Sequence, residues 1–262
     1  MGHQRIGALP DTEPWHKVVS CIADGEGVAA VAAATMEAAQ EGLAYARADR
    51  GLAHCVVLLD TIVRAARETD FAGVLRQQGF DVPDQPGIFD LAAAFTESVD
   101  AFRDRHRCGS DPGEMAELAA VEALALLLGR GSDSLFGSTP REVAGAARQL
   151  ASRSGFGNLA HEFLGRFLRR FLTYHLSREL PLHVGGNGRF ADPSEHNAFV
   201  ERLGTMCTEV AAISEKFAGD WYAKAHSPAG HGVNDATARG FVAKALNKLS
   251  DELKLRGQRH GG

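Results

Sequence analysis

The sequence is poor in cysteine and has no long apolar run. Its four cysteines are scattered along 262 residues without a CxxC pair, so neither a disulfide framework nor a cysteine zinc site is expected. The longest apolar runs, such as Ala123 to Leu128, are far shorter than the roughly 20 residues that cross a membrane as a helix. The N-terminus also lacks the apolar core of a signal peptide. These absences predict a soluble protein of the reducing cytoplasm.

The sequence also lacks familiar motifs of catalysis and nucleotide binding. It contains neither a GxSxG nucleophile elbow nor a GK[ST] phosphate loop. His161 and Glu162 begin an HExxH-like pattern, but Gly165 stands where that motif needs its second histidine. We therefore expect neither a nucleophile of these classes nor a cofactor.

What the sequence does contain is helical periodicity along nearly its whole length. Segment 156–180 is typical, because phenylalanines and leucines share one face and arginines the other. No segment alternates convincingly as a strand. With 45% hydrophobic and 23% charged residues, the composition is that of a globular protein. The pattern predicts an all-α, multi-helix, bundle-like globule with an acidic N-terminal half and an amphipathic C-terminal helical half.

Residues 129–140, GRGSDSLFGSTP, form the clearest candidate boundary. They divide the chain into an acidic helical region, residues 1–130, and a helical bundle region, residues 139–257, although one continuous core is an open alternative. Thr139, Pro140 and Glu142 predict a helix start with an N-cap, a proline in the first turn and a capping box.

Three longer helices are predicted from their apolar spacing. Residues 27–47 form one alanine-rich helical segment, and residues 112–128 form a helix that is buried over most of its surface. A third helix, capped by Asp192 or Ser194, carries an apolar seam at spacings of 4, 3, 4, 3 and 4 residues and should pack along its whole length. The seam consists of Phe199, Leu203, Met206, Val210, Ile213 and Phe217.

The charge is unevenly distributed. Residues 1–138 carry net charge −10, residues 139–189 carry +5 and residues 190–262 are neutral, which gives −5 for the chain. This asymmetry favours an anionic partner for the middle segment, or contact between acidic and basic parts within one molecule or between copies. Arg166, Arg169 and Arg170 could bind nucleic acid or anionic lipid. Arginines on a solvated helix face explain most such segments, however.

The stretch YHLSRELPLHVGGNGRFADPSEH, residues 174–196, combines three histidines with three glycines in four residues. Its loop could form a nest of backbone N–H groups for an anion. An interhelical turn is the simpler interpretation, because the loop follows a helix and not a strand. The candidate anion-binding residues are Gly185, Gly186, Asn187, Gly188 and Arg189.

Histidines are concentrated between residues 161 and 231. A metal site built from His183, His196, His226 and His231 is conceivable. No pair of them has a familiar ligand spacing, so polar histidines at loops and helix ends are the favoured interpretation.

The end of the arginine-rich helix offers the best acid–base candidates. Tyr174 lies one turn from Arg178, and His175 lies one turn from Glu179. A half-buried imidazole oriented by a carboxylate could act as a general base. A histidine that simply stabilises the helix end is the favoured alternative.

These observations favour a non-catalytic, cytoplasmic helical protein that acts through protein contacts, as an oligomer or as a subunit of a larger system. Arginine outnumbers lysine 22 to 6, a codon bias that points to a bacterial source. The alternatives are a small-ligand, metal or phosphate-binding protein or enzyme that uses residues 174–196, and electrostatic binding by the arginine face.

Overall fold

The computed structural model describes residues 9–130, 138–186 and 188–260. Within these ranges the chain forms twelve α-helices, one short 3-10 helix at Leu180–His183 and no strand, which confirms the all-α fold class. Residues 131–137, most of the predicted boundary, lie outside the described ranges. The helices are α1 (Glu13–Ala23), α2 (Val28–Ala38), α3 (Gln40–Ala48), α4 (Arg50–Ala65), α5 (Phe71–Gln77), α6 (Ile88–His106), α7 (Asp111–Gly129), α8 (Pro140–Leu150), α9 (Arg153–Leu176), α10 (Pro193–Ala211), α11 (Ser214–Ala225) and α12 (Asp235–His260).

Local capping chemistry explains where several helices begin. The capping box predicted at the start of α8 is confirmed: Thr139 N donates to Glu142 Oε2 over 2.7 Å, and Glu142 N donates to Thr139 Oγ1 over 3.3 Å. At the start of α10, Asp192 is the cap, since its Oδ1 accepts from the N–H groups of Ser194 and Glu195. Each cap satisfies backbone donors that a helix start leaves without partners.

Helix α9 runs through the centre of the molecule and contacts α2, α7, α8, α10 and α11. Two glycines let other helices approach its backbone. A Cβ at Gly157 would lie 2.6 Å from Glu215 O, and a Cβ at Gly165 would lie 3.2 Å from Thr208 Cα. Gly165, which interrupts the HExxH-like pattern, is therefore a close-packing position.

One apolar cluster includes residues from both ends of the chain. Helix α12 packs against α2, α3 and α4, while α7 packs against α9. Helices before and after residues 131–137 thus bury their apolar faces against each other.

Two predicted helices are wrong in their extent. Segment 27–47 is divided at Ala39 into α2 and α3. The apolar seam is divided at residues 212–213 into α10 and α11, and Ile213 is 41% exposed. The physical reason for the second break is close helix packing: a Cβ at Gly219 of α11 would lie 2.3 Å from Arg153 O of α9. The chain turns to bring α11 onto the start of α9.

Helix α7 is less buried than its sequence predicts. Its inner face packs against α4, α6, α8 and α9, whereas Leu118, Glu122 and Leu126 are exposed on the other side. Near the end of α7, Phe89 is 89% exposed. In the described ranges no helix has both the length and the apolar character needed to cross a membrane.

Candidate functional site

The glycine loop after α9 closes on itself. Phe190 N donates to His183 O over 2.9 Å, and Gly185 N donates to Phe190 O over 2.8 Å, so Val184 and Phe190 form an isolated bridge. Gly188 N donates to Gly185 O over 2.9 Å. Two of the N–H groups predicted to hold an anion are thus used inside the loop. Asn187 lies outside the described residues.

Positive φ angles explain part of the glycine content of this loop. Gly185 and Gly186 have φ values of 79° and 57°, in a region that residues with a side chain rarely adopt. At Gly188 a Cβ would lie 2.4 Å from His183 O. These three glycines are required by the shape of the turn.

Arg189 links the glycine loop to α1. Its guanidinium donates to the carbonyl oxygens of Cys21 and Ile22 in the last turn of that helix and to that of Glu26 in the turn after it. It also lies 4.5 Å from the centroid of the Phe199 ring. Burial lowers the pKa of Arg189. Its donors stabilise the negative end of α1, and the loop therefore has a structural role in this geometry.

The candidate metal ligands do not converge. His183 Nε2 lies 2.9 Å from Glu179 Oε1, and His196 packs edge-on against Phe190. His226 lies beside an acid of α4, whereas His231 is exposed. Across the described part of the chain, no group of three or more histidine, cysteine or acidic side chains is placed to hold a metal ion.

The arginine face of α9 is paired with acids of the same molecule. Arg166 pairs with Glu162 and Glu122, and Arg170 pairs with Glu122 of α7. Arg169 pairs with Glu201 of α10 over 2.9 Å. The basic middle segment and the acidic N-terminal part are therefore in contact within one chain, and these arginines already have anionic partners.

The end of α9 brings together only part of the predicted acid–base group. Tyr174 Oη donates to Asp111 Oδ2 over 2.8 Å, and the Arg178 guanidinium lies 4.8 Å from the centroid of the Tyr174 ring. Glu179 pairs with His183 and not with His175. The predicted orientation of His175 by Glu179 is therefore wrong, because α9 ends at Leu176 and the chain no longer places Glu179 one helical turn away.

Tyr174 and His175 instead line a cleft of about 390 Å³ between α3, the start of α7 and the end of α9. We call it the aromatic cleft. Behind it, the rings of Trp15 and His175 lie 5.1 Å apart between centroids. The residues that line the aromatic cleft are Gly42, Tyr45, Ser110, Asp111, Pro112, Met115, Phe171, Tyr174 and His175.

Two side chains of the aromatic cleft, His175 and Tyr174, have shifted pKa values that keep them neutral at pH 7. Burial, reinforced by Arg178, lowers the pKa of His175 to about 4, so the imidazole is neutral at pH 7. The hydrogen bond to Asp111 raises the pKa of Tyr174, so the phenol keeps its proton. Among the described residues that line the cleft, Asp111 alone carries a formal charge.

Gly42 leaves the space that forms the cleft. A Cβ at this position would lie 3.7 Å from Phe171 Cζ and 3.9 Å from His175 Nε2. Those are ordinary contact distances, so alanine fits, whereas a larger side chain would enter the cleft. Gly42 and Asp111 are cleft residues that the sequence did not single out.

A buried pair elsewhere in the molecule was also missed. His226 Nε2 lies 2.6 Å from Asp60 Oδ1, and the side chains are 11% and 2% exposed. Asp60 belongs to α4 and His226 ends α11. The sequence carries one signal for this pair: Asp60 interrupts the apolar run CVVLLDTIV on a buried helix. A buried acid needs a partner, but its identity depends on tertiary contact.

Comparison of the chain with protein-family models, with curated proteins and with solved structures found no match.

Proposed function

We propose that this protein binds a small, planar organic molecule, neutral or cationic, in the aromatic cleft. The observation that carries the proposal is a preformed cleft of about 390 Å³ with aromatic walls and few polar groups. Its volume falls within the roughly 300–1000 Å³ of small-molecule sites. Such sites combine apolar walls with a few polar groups that fix the orientation of the ligand.

The charge of the ligand follows from the polar groups of the cleft. Asp111 attracts a cation at the start of α7, and the neutral imidazole of His175 does not oppose it. Tyr45, Phe171 and Tyr174 offer aromatic surfaces to a planar group, and aromatic rings also attract cations. Arg178 lies over the Tyr174 ring but does not line the cleft, whereas Asp111 lines it and would repel a carboxylate ligand. We therefore expect a cationic aromatic ligand to bind best.

The polar groups of the aromatic cleft favour ligand binding without a catalytic step. A histidine whose pKa is about 4 is a weak proton acceptor at pH 7. Ser110 is not available as a nucleophile, because its Oγ donates to Asp49 Oδ2 over 2.6 Å and accepts from Gly113 N over 3.0 Å. Tyr174 is already bonded to Asp111.

The test is calorimetric titration with three related probes: tryptamine, 3-methylindole and indole-3-acetate. We expect affinity to fall in that order. Asp111→Asn should remove the advantage of tryptamine over 3-methylindole, and Gly42→Leu should abolish binding of all three by filling the cleft. Gly145→Leu is the matched control, because a Cβ at this glycine in α8 meets no atom within 4 Å. Absence of tryptamine binding, or equal binding by the Gly42→Leu variant, would reject the proposal.

The protein-contact role expected from the sequence remains a prediction. Phe89, 89% exposed at the start of α6, is the observation that favours it, because aromatic side chains are enriched in protein–protein interfaces. Light scattering of the wild type and of Phe89→Ser tests self-association. A wild type that is monomeric at low and high salt would count against an oligomer.

A further inference from the structure

The buried Asp60–His226 pair borders a second cleft, of about 360 Å³, between α4, α5 and the end of α11. We call it the arginine cleft. It shares no lining residue with the aromatic cleft. Among the residues that line it are Thr61, Arg64, Arg67, Glu68, Gln78 and His226.

Two arginines of this cleft have no anionic partner. Arg64 and Arg67 are exposed, and neither forms an ion pair with any residue in the described ranges, although Glu68 lines the same cleft. On α9, by contrast, Arg166, Arg169 and Arg170 all pair with carboxylates. Both guanidinium groups are therefore available to an added anion, although Asp60 and Glu68 offset part of their charge.

The end of α4 does not oppose an anion here. A helix C-terminus carries partial negative charge on its last carbonyl groups. Arg148 of α8 donates to Ala66 O over 2.8 Å and to Glu68 O over 3.4 Å. This arginine covers the carbonyl groups that would otherwise repel an anion.

His226 is held in one orientation. Its Nε2 donates to Asp60 Oδ1, and its ring packs against Tyr222 at 4.6 Å between centroids. Nδ1 has no bonding partner in the described structure, so protonation of the imidazole would make it a second donor. Asp60 would stabilise the imidazolium.

Tyr222, which packs against His226, has a buried hydroxyl group without a hydrogen-bond partner among the described residues. The side chain is 2% exposed. Arg67, Asp60 and Arg64 are the charged groups that act on this hydroxyl. Buried polar atoms are rarely left without a partner, and this one lies within electrostatic reach of both arginines of the cleft.

We propose that the arginine cleft binds a small oxyanion, with two or more negatively charged or acceptor oxygens, through Arg64, Arg67 and protonated His226. The anion replaces the carboxylate partner that Arg64 and Arg67 lack. Guanidinium groups bind phosphate and carboxylate oxygens in the same bidentate geometry. The shared chemistry therefore admits both a phosphate and a dicarboxylate.

The proposal includes proton uptake at His226. The charged or titratable groups around this imidazole are Asp60 and Arg64 of α4, Arg67 and Glu68 just after that helix, and Tyr222 of α11. An anion that accepts from Nδ1 stabilises the imidazolium, so the anion and a proton bind together. Calorimetry in two buffers of different ionisation enthalpy measures the protons taken up.

The experiment titrates inorganic phosphate, malonate and chloride into the full chain at pH 7. We expect phosphate or malonate to bind and chloride to bind much more weakly. Proton uptake is measured with malonate, which is almost fully ionised at pH 7, because phosphate itself exchanges a proton near that pH. Binding of phosphate alone identifies a phosphate site, and binding of malonate alone a carboxylate site. Arg64→Gln and Arg67→Gln should each weaken binding about tenfold. Arg105→Gln, a change to an exposed arginine of α6, should leave binding unchanged.

A double variant, called the paired variant, distinguishes a role of Asp60 and His226 in ligand binding from a purely structural role. Asp60→Asn/His226→Gln can keep a hydrogen bond across the buried pair but removes its titratable groups. We expect this variant to fold, to bind the anion more weakly and to take up no proton. Failure of both phosphate and malonate to bind, an equal loss of affinity in Arg105→Gln, or unchanged proton uptake in the paired variant would overturn the proposal.

Discussion

Two histidines, one in each cleft, meet opposite surroundings. His175 lies among Trp15, Phe171 and Tyr174, and no carboxylate pairs with it in the described structure. His226 is also largely buried but lies 2.6 Å from Asp60. Burial lowers the pKa of His175, which has no acidic partner among the described residues, whereas the His226 ring donates a hydrogen bond to Asp60. The two histidines thus differ in their acidic partner, and they belong to the clefts for which we propose ligands of opposite charge.

Substitution of Asp60 should lower the free energy of unfolding much more than substitution of Asp111. Asp60→Ala leaves His226 beside a buried space without its partner, so we expect a loss of about 3 kcal/mol in the free energy of unfolding. Asp111→Ala removes an exposed acceptor of Tyr174 and should lower that free energy by about 0.5–1 kcal/mol. Urea denaturation measures both. Equal losses in the two variants would mean that the buried and the exposed acid contribute equally to stability.

The pH dependence of stability should distinguish the neutral histidine. The pKa of His175 falls from 6.5 to about 4 on folding, so the unfolded chain binds the proton more readily. The neutral form of His175 therefore contributes fully to stability above pH 6.5. This contribution is lost as the pH falls toward 4, and the free energy of unfolding decreases by up to about 3 kcal/mol.

The matched variant for this effect is His175→Phe. Burial also lowers the pKa of His54 to about 4, but that residue is present in both proteins, so its effect cancels when they are compared. Urea denaturation at pH 7 and pH 4.5 should show a smaller decrease for His175→Phe than for the wild type. The same decrease in both proteins would mean that folding does not lower the pKa of His175.

Gly42→Ala should change stability least among these variants, and it should raise stability instead of lowering it. Alanine raises the helix propensity of α3 by up to about 1 kcal/mol relative to glycine, and its Cβ meets Phe171 at an ordinary 3.7 Å. We expect a higher unfolding temperature together with weaker tryptamine binding. Gly145→Ala in α8 should raise the temperature without changing binding. A lower unfolding temperature for Gly42→Ala would mean that α3 packs more tightly against α9 than described.

Much of the fold could be predicted because it follows local rules. The apolar face of α9 and the capping box of Thr139 and Glu142 depend on residues a few positions apart. The break between α10 and α11 could not be predicted, since Ala212 and Ile213 carry no helix-breaking signal. It follows from the close approach of α11 to α9, which is a property of the packed molecule.

The clefts were harder to predict than the helices for the same reason. Tyr174 and His175 were identified as candidates, but Asp111 and Gly42 reach them only through tertiary packing. The glycines of the loop suggested an anion-binding site, but turn geometry explains the glycines at positions 185, 186 and 188. Asp60 could be noticed in the sequence as a charged residue inside an apolar helix. No residue near it in sequence identifies His226 as its partner.

The most direct test of the ligand proposal is a crystal structure of the protein with tryptamine. We predict that the indole ring lies in the aromatic cleft between Tyr45 and Phe171, with the ammonium group within hydrogen-bond distance of Asp111. An indole bound elsewhere, or an aromatic cleft that stays free of ligand at saturating tryptamine, would contradict the account.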